Sequence, residues 1–248
     1  MTLFKKEEPK IRFVSTVPGL SSMEDCRPRP SNKFIPQWWK DTPIKRASHS
    51  VDSSTLANVR SCPSFNDYFS TGYIIPMWSD TILKYSSDSD HYSWKSASDL
   101  FTWEVHSNDQ FLDSVTYKHL NLPGKFVFKP ISPWMIITPP GYSVYQLPLY
   151  FHVDNQFTIV PGVLDTDRWH VANPQLVLLT EEEVFIAKGT PLVQYVPFKR
   201  DDKLALKVLD ATKKEINLFN KKHIDFSTQF RGTHYYQKTR KKESSNNE

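Results

Sequence analysis

The sequence predicts a mainly β protein whose core is an antiparallel sandwich. The composition favours strands and rigid loops, because 16 Phe, 11 Tyr and 7 Trp stand beside 18 Pro and only 7 Gly. Between residues 125 and 198, short runs of strand-forming residues alternate with Pro/Gly turns, a pattern typical of sandwiches and barrels. With 248 residues, the chain is long enough to bury a sizeable core.

The N-terminal segment, residues 1–57, is predicted to be an irregular arm rich in proline. It contains Trp38 and Trp39 in "FIPQWWK". Burial of such large apolar side chains stabilises a fold by about 1.5–3 kcal/mol each. We therefore expect this arm to wrap onto the core.

Residues 58–200 are predicted to form the β-rich core. A short helix or turn is expected at 63–69, followed by strands at Tyr73–Pro76 and Thr81–Tyr85. In "FTWEVH" apolar and polar residues alternate, which predicts a strand with one buried face. The preceding "HYSWK" is its expected hairpin partner.

The pattern changes in the segment 201–224. Leu209, Ile216 and Phe219 follow one another at spacings near two turns and one turn of a helix, which predicts a helix over about residues 205–222. A basic tail, 225–248, follows it and is rich in aromatic residues. Three hypotheses stay open for this tail: it is solvated, it docks as an arm on a neighbouring subunit, or it binds nucleic acid.

Cysteine content and hydropathy argue against a disulfide-rich protein and a membrane-spanning protein. The formal charge of +4 is concentrated at the two ends of the chain. Cys26 and Cys62 are too few for a disulfide framework and have no CxxC spacing, so we expect reduced thiols. No apolar run approaches the roughly 18 residues that span a bilayer, and no signal peptide is visible. A cytoplasmic protein without a membrane partner is expected.

Three stretches recur in an order known from one superfold: "ITPPGYS" at 137–143, "PGVLDTD" at 161–167 and "IAKGTPLVQYVPF" at 186–198. In this order they resemble the dUTPase and dCTP deaminase group. The β-clip fold of that group carries a serine-containing turn, then a Gly-Val-Ile-Asp hairpin, then a strand with a motif glutamine. The resemblance lies within residues 125–200 and implies a dUTPase-like core.

The same resemblance implies a ligand-binding role for Ser143, Gly162, Val163, Asp165 and Gln194. The family hairpin recognises the pyrimidine edge through its backbone, and Gly162, Val163 and Asp165 match that hairpin. Gln194 stands at the place of the motif glutamine. Ser143 takes the place of one phosphate-binding hydroxyl.

Asp165 and Asp167 are the candidate catalytic residues, because the family aspartate contacts the 3′-hydroxyl or positions the attacking water. However, "PPGYS" lacks the Arg-Ser-Ser triplet, and no Ala-Gly-x-Asp motif precedes it. A triphosphate needs positioned cationic groups, Mg²⁺ and N–H donors. The sequence therefore favours a non-catalytic protein without a cofactor, in which Asp165 fixes a turn. The alternative that the resemblance implies is a nucleotide-binding or nucleotide-hydrolysing enzyme of the dUTPase or dCTP deaminase type, and only the hydrolase would require Mg²⁺.

A further hypothesis concerns iron. His152 and Asp154 in "FHVD" have the H-x-D spacing that puts two ligands on one face of a strand in Fe(II)/2-oxoglutarate oxygenases. His223 or His234 would supply the third ligand. The alternative is a pair of surface polar residues and no metal site.

The stretches "IPQWWKDTP", "VRSCPSFNDYFSTGYIIPMWSD" and "GTPLVQYVPFKR" together resemble a family of tailed-phage and bacterial proteins. This resemblance implies a phage or bacterial origin and no particular activity. The first functional hypothesis is therefore a non-catalytic phage structural or interaction protein, located in the host cytoplasm or the virion. We expect a homo-oligomer, with a trimer favoured, and contacts with other phage proteins.

Overall fold

The computed structural model describes residues 9–44, 58–86, 91–106, 127–152, 156–202 and 204–229, without the side chains of residues 61, 86 and 223–229. The described chain is mainly β with antiparallel pairing, which confirms the predicted fold class. The described parts of Met1–Phe34 and Thr71–Asp202 form one compact unit, and those of Ile35–Ser70 and Lys203–Glu248 form a second. The strands are β1 Arg12–Ser15, β2 Arg29–Pro30, β3 Tyr73–Pro76, β4 Thr81–Ser86, β5 His91–Ser96, β6 Trp103–His106, β7 Val127–Pro130, β8 Trp134–Ile137, β9 Tyr142–Leu147, β10 Phe157–Ile159, β11 Gly162–Leu164, β12 Leu176–Leu178, β13 Val184–Ile186 and β14 Pro191–Lys199.

These strands form four sheets, with the orders β11-β9-β14-β3-β2, β10-β12-β7-β6, β13-β4-β5 and β1-β8. The longest strand, β14, is rich in the β-branched and aromatic residues that favour strands. It pairs with β9 from Gln194 opposite Leu147 to Lys199 opposite Tyr142. This register places the end of β14 beside the start of β9.

The core lies in the first unit. Its largest fully buried side chains include Trp134, Tyr85, Tyr195 and Phe128. Full burial of side chains of this size supplies about 1.5–3 kcal/mol each to the fold. The predicted alternation in "FTWEVH" is confirmed, since Phe101 and Trp103 are buried while Glu104 is exposed.

The second unit contains α1 Gln37–Asp41, α2 Pro63–Ser70 and α3 Lys213–Gln229. Trp39 is buried, and its ring lies 5.7 Å from that of Phe65 and 4.8 Å from that of Phe69. Trp38 stays 38% exposed. The two adjacent tryptophans therefore differ: Trp39 packs against α2, whereas Trp38 keeps much of its surface in solvent.

The expected pairing of "HYSWK" with "FTWEVH" is wrong. Strand β5 pairs with β4, from Thr81 opposite Ser96 to Ser86 opposite His91, and β6 pairs with β7. The alternation of apolar residues identified each strand. It did not identify the partner, because alternation reports which face is buried and not which edge is bonded.

The C-terminal helix is present, but it begins at Lys213 and ends at Gln229, later at both ends than the expected 205–222 and past the expected start of the tail at 225. Helix α3 starts at Lys213 because Thr212 and Glu215 form a capping box. The Thr212 N–H donates to Glu215 Oε2 at 2.8 Å, and the Glu215 N–H donates to Thr212 Oγ1 at 3.3 Å. Residues 204–212 precede the helix without regular secondary structure.

Both cysteines are free thiols. Cys26 is buried, and burial raises the pKa of its thiol, which disfavours the reactive thiolate. Within the described ranges, no helix has the length and hydropathy needed to cross a membrane.

Candidate functional site

The predicted site lies at one end of the five-stranded sheet, where three chain segments meet. Strand β9 begins at Tyr142, and strand β11 ends at Leu164 opposite Val144 of β9. Strand β14 ends just after Phe198, which lies opposite Ser143. Residues immediately beyond β11 and β14 are therefore brought against the first residues of β9.

Arg200 and Asp167 form the centre of this cluster. Arg200 Nη1 donates to Asp167 Oδ1 at 2.9 Å, and Arg200 Nη2 donates to Oδ2 of the same carboxylate. The Gly141 N–H donates to Oδ2 at 2.9 Å. The Asp167 side chain is only 6% exposed. Such a bidentate, charge-assisted pair holds both groups in one geometry.

The pKa values of the pair move in the directions that this geometry requires. The Arg200 hydrogen bonds, helped by the Gly141 N–H, hold the pKa of Asp167 well below its usual range, although desolvation opposes them. The bond to Asp167 in turn raises the pKa of Arg200. Asp167 is therefore a fixed carboxylate and a poor proton acceptor.

Asp165 lies beside this pair and is more open. It accepts a 2.6 Å hydrogen bond from Ser143 Oγ at its Oδ1, which lies 3.2 Å from Arg200 Nη1. Its side chain is 48% exposed. The Asp165 carbonyl accepts the N–H groups of Arg168 and Trp169, each at 2.9 Å. Asp165 thus joins the turn to β9 through its side chain and closes the turn itself through its backbone carbonyl.

Arg200 also binds the start of β9 directly. Its Nη1 donates to Ser143 Oγ at 2.8 Å and to the Tyr142 carbonyl at 3.1 Å. Its backbone N–H donates to the Gly141 carbonyl at 2.9 Å. One guanidinium therefore connects the segments around β9, β11 and β14.

A buried hydroxyl pair supports the turn from inside. Thr166 is fully buried, and its Oγ1 lies 2.8 Å from Thr138 Oγ1. Thr138 Oγ1 donates to the Tyr142 carbonyl at 3.0 Å. His170 Nδ1 lies 2.8 Å from the Thr166 carbonyl, a contact in which the imidazole N–H donates. Thus His170 closes the same turn.

Gly162 and Val163 lie within β11, opposite Gln146 and Tyr145 of β9. Val163 is 56% exposed and stands on the side of the sheet that carries Tyr145. A Cβ at Gly162 would meet nothing within 4 Å, so the position has open space beside it. Their expected role in ligand binding stays a prediction.

Gln194 does not join this cluster. It lies in the middle of β14, opposite Leu147 and Ile74, and is buried. Its Nε2 donates to the Thr71 carbonyl at 2.7 Å. Its buried Oε1 finds no donor among the described residues. Gln194 therefore fastens β14 to the chain before β3.

Of the H-x-D pair, the structure describes only His152. His152 is half-buried, its Nε2 lies 3.0 Å from the Phe34 carbonyl, and burial lowers its pKa. Asp154, His234 and the side chain of His223 lie outside the described residues. Within the described ranges, no group of three His, Cys, Asp or Glu residues could hold a metal ion.

No family model and no curated protein matches this chain. Among solved structures it is similar to the native dUTPase of EIAV, with 9% identity and a TM-score of 0.32, over 58% of this chain and 86% of that chain. It is also similar to the dUTPase from phage phi11 of S. aureus, with 10% identity and a TM-score of 0.31, over 82% and 98%. A Staphylococcus bacteriophage 80alpha dUTPase with dUpNHpp gives 10% identity, a TM-score of 0.32 and coverage of 82% and 90%. Similarity at this level of identity and TM-score assigns no residue role and no activity to this chain.

Proposed function

We propose that this protein is a non-catalytic interaction protein that works as a homo-oligomer. The observation that carries the non-catalytic role is that both candidate catalytic carboxylates already accept hydrogen bonds from neighbouring residues. Asp167 is held by Arg200 and Gly141, and Asp165 accepts from Ser143 beside the same guanidinium. These bonds suit residues that fasten a turn.

General-base catalysis needs a different arrangement. A base must reach the proton that it removes, and its pKa should lie near the working pH. Asp167 has a 6% exposed side chain and a pKa well below its usual range. A carboxylate that is largely covered, held by two partners and hard to protonate supports a structural role for the hairpin.

The outer side of the five-stranded sheet supports an interaction role. Tyr145 and Val163 are cross-strand partners and are 42% and 56% exposed. The Tyr145 ring stacks on Phe198 with the centroids 4.3 Å apart. We call the surface formed by Tyr145, Val163, Val196 and Phe198 the outer face. Exposed apolar groups gathered on one face mark interaction surfaces.

The chain also contains an exposed apolar segment that could cover this outer face. Leu204, Leu206 and Val208 alternate along an irregular segment and are 98%, 89% and 83% exposed. Strand β11 is an edge strand among the described sheets. Edge strands present unpaired N–H and C=O groups that an extended segment can bond. We therefore assign the outer face and the β11 edge to residues 204–208 of a second copy of the chain.

Light scattering coupled to size-exclusion chromatography tests this proposal. The wild-type chain should elute with the mass of a homo-oligomer, and a trimer is expected. Val163→Asp and Leu206→Asp should each lower that mass, because each puts a charge into the apolar contact. Phe185→Asp is the matched control, since Phe185 is an exposed apolar residue, 61% accessible, on β13 in another sheet. A monomeric wild-type protein contradicts the proposal.

Further partners belong to the same proposal. A phage structural or interaction protein, in the virion or the host cytoplasm, would contact other phage proteins through such surfaces. Residues 230–248 of the basic tail, 225–248, for which nucleic-acid binding is proposed, lie outside the described residues. Salt-dependent binding of DNA by the full chain, lost when its Lys and Arg residues at 238–242 are replaced, would assign that role.

Nucleotide binding is the second candidate function. It is favoured by Asp165, whose 48% exposed carboxylate stands beside the Ser143 hydroxyl and the Arg200 guanidinium. Thermal-shift measurements with dUTP, dCTP and dUMP, with and without Mg²⁺, test it. A true ligand stabilises the protein by about 2.7 kcal/mol at 100 times its dissociation constant. Binding that Asp165→Ala leaves unchanged would exclude this site.

A further inference from the structure

We propose that a cleft beside strands β5 and β6 binds a carbohydrate ring. The cleft has a volume of about 450 Å³ and is lined by Tyr92, Trp94, Trp103, Glu104, His106 and Lys129. It is separate from the Asp165 cluster, which lies on the five-stranded sheet. Oligomerisation through the outer face makes no use of it.

The aromatic walls come from two different sheets. β5 is an edge strand of one sheet and β6 an edge strand of another. Tyr92 and Trp94 are two residues apart on β5, so their side chains point to the same side of that strand. The Tyr92 and Trp103 rings both meet Phe128 edge to face, at centroid distances of 6.2 and 6.5 Å.

Aromatic surface remains open in the cleft. Tyr92 is 40% exposed and Trp94 is 36% exposed, although both are large apolar groups. The C–H face of a pyranose ring is flat and weakly apolar, and it packs well on an aromatic face. Trp and Tyr are suited to this task because they combine a rigid apolar ring with one polar handle.

The polar groups of the cleft suit hydroxyl groups. Glu104 and Lys129 are cross-strand partners on β6 and β7 and form an ion pair. A carboxylate accepts hydrogen bonds from sugar hydroxyls, and an ammonium group donates to their oxygens. The Trp103 side chain also lines the cleft, and its buried Nε1 finds no acceptor among the described residues.

The charged residues of the cleft favour a neutral sugar over nucleotides and quaternary ammonium ligands, which also bind to aromatic rings. A nucleotide brings phosphates that need a cation, but Lys129 is already paired with Glu104. A quaternary ammonium ligand favours a cage without competing positive charge, and here Lys129 lies in the cleft wall. A neutral polyol leaves the ion pair intact and adds hydrogen bonds to both partners.

The test is a titration of the purified full-length protein followed by intrinsic tryptophan fluorescence. The probes are the methyl glycosides of glucose, galactose, mannose and N-acetylglucosamine, together with the corresponding disaccharides. At least one should give a saturable change. Trp94→Ala should weaken binding by about tenfold or more, which corresponds to about 1.4 kcal/mol. Trp94→Phe should retain binding, because the stacking face remains.

Trp169→Ala is the matched control, since Trp169 is also an exposed tryptophan, 70% accessible, and lies far along the chain from β5. It should bind the sugar like the wild type. Equal thermal unfolding midpoints of the Trp94 variants and the wild type show that the fold is kept. Absence of saturable binding by every sugar, or equal binding by Trp94→Ala, overturns the proposal. Saturable binding of uridine or adenosine instead of sugars overturns it in favour of a base-stacking site.

Discussion

Arg200 and Asp167 form a bidentate ion pair that joins the end of β14 to the turn after β11, across 33 positions of sequence. The pair is largely covered, with side chains 25% and 6% exposed. Because Arg200 also donates to the Ser143 hydroxyl and the Tyr142 carbonyl, it fastens three segments at once. The arrangement of the three segments at the candidate site therefore depends on the guanidinium of Arg200.

Replacement of Arg200 by Ala should lower the thermal unfolding midpoint. The change leaves Asp167 as a covered carboxylate without its cation, which is the costly way to break an ion pair. Lys199→Ala is the control at the neighbouring position. Its partner Asp202 lies 3.2 Å away, but the two side chains are 47% and 70% exposed, and such surface pairs contribute little. Equal losses measured by calorimetry for both variants would contradict a special role for Arg200.

The same pair predicts a specific dependence of stability on pH. The folded-state pKa of Asp167 lies well below its unfolded value of about 3.9. Its contribution is therefore fully present above about pH 5 and is lost as the pH falls toward and below the folded-state pKa. Urea midpoints measured between neutral pH and about pH 2 should fall more steeply for the wild type than for Asp167→Asn. Parallel curves would show that another carboxylate controls the acid limb.

Much of the fold could be predicted from local patterns. Strand β3 at Tyr73–Pro76 and helix α2 at Pro63–Ser70 follow from strand-forming runs and turn signals that neighbouring residues encode. The start of α3 was also readable, because Thr212 and Glu215 carry the capping-box spacing. The predicted helix began too early, because Leu209 was counted as part of its apolar face although it precedes the helix.

The candidate site was predictable only in part. The resemblance assigned Ser143 and Asp165 to one ligand site, which stays a prediction, and the structure joins their side chains by a 2.6 Å hydrogen bond. Arg200 was missed, because nothing in "FKR" distinguishes it from a surface cation. Its position follows from the register of β14 on β9, and register is a tertiary property. Gln194 was grouped with the site by motif order, but it lies four positions before Phe198 on the strand and bonds elsewhere.

The buried hydroxyl of Tyr195 gives a prediction for the core. It donates to Gln146 Oε1 at 3.0 Å, and full burial raises its pKa above the usual range, so it remains a neutral donor. Tyr195→Phe should lower the free energy of unfolding by about 1–3 kcal/mol, because a buried acceptor loses its donor. Urea denaturation measures this loss. Tyr150→Phe, which changes a 78% exposed tyrosine outside the outer face, should change the free energy by less than about 0.5 kcal/mol.

The last prediction concerns Gly72, where backbone conformation and packing coincide. Its φ of +70° lies in the left-handed region, and a Cβ there would lie 2.3 Å from the Tyr195 carbonyl oxygen. Gly72→Ala should therefore cost the backbone strain of about 1 kcal/mol and in addition the displacement of β14. Gly19→Ala isolates the first cost, since Gly19 has a φ of +81° but nothing within 4 Å of the added Cβ. The urea midpoint of the Gly72 variant should fall well below that of the Gly19 variant. Equal midpoints would mean that the chain before β3 moves away from Tyr195 without loss.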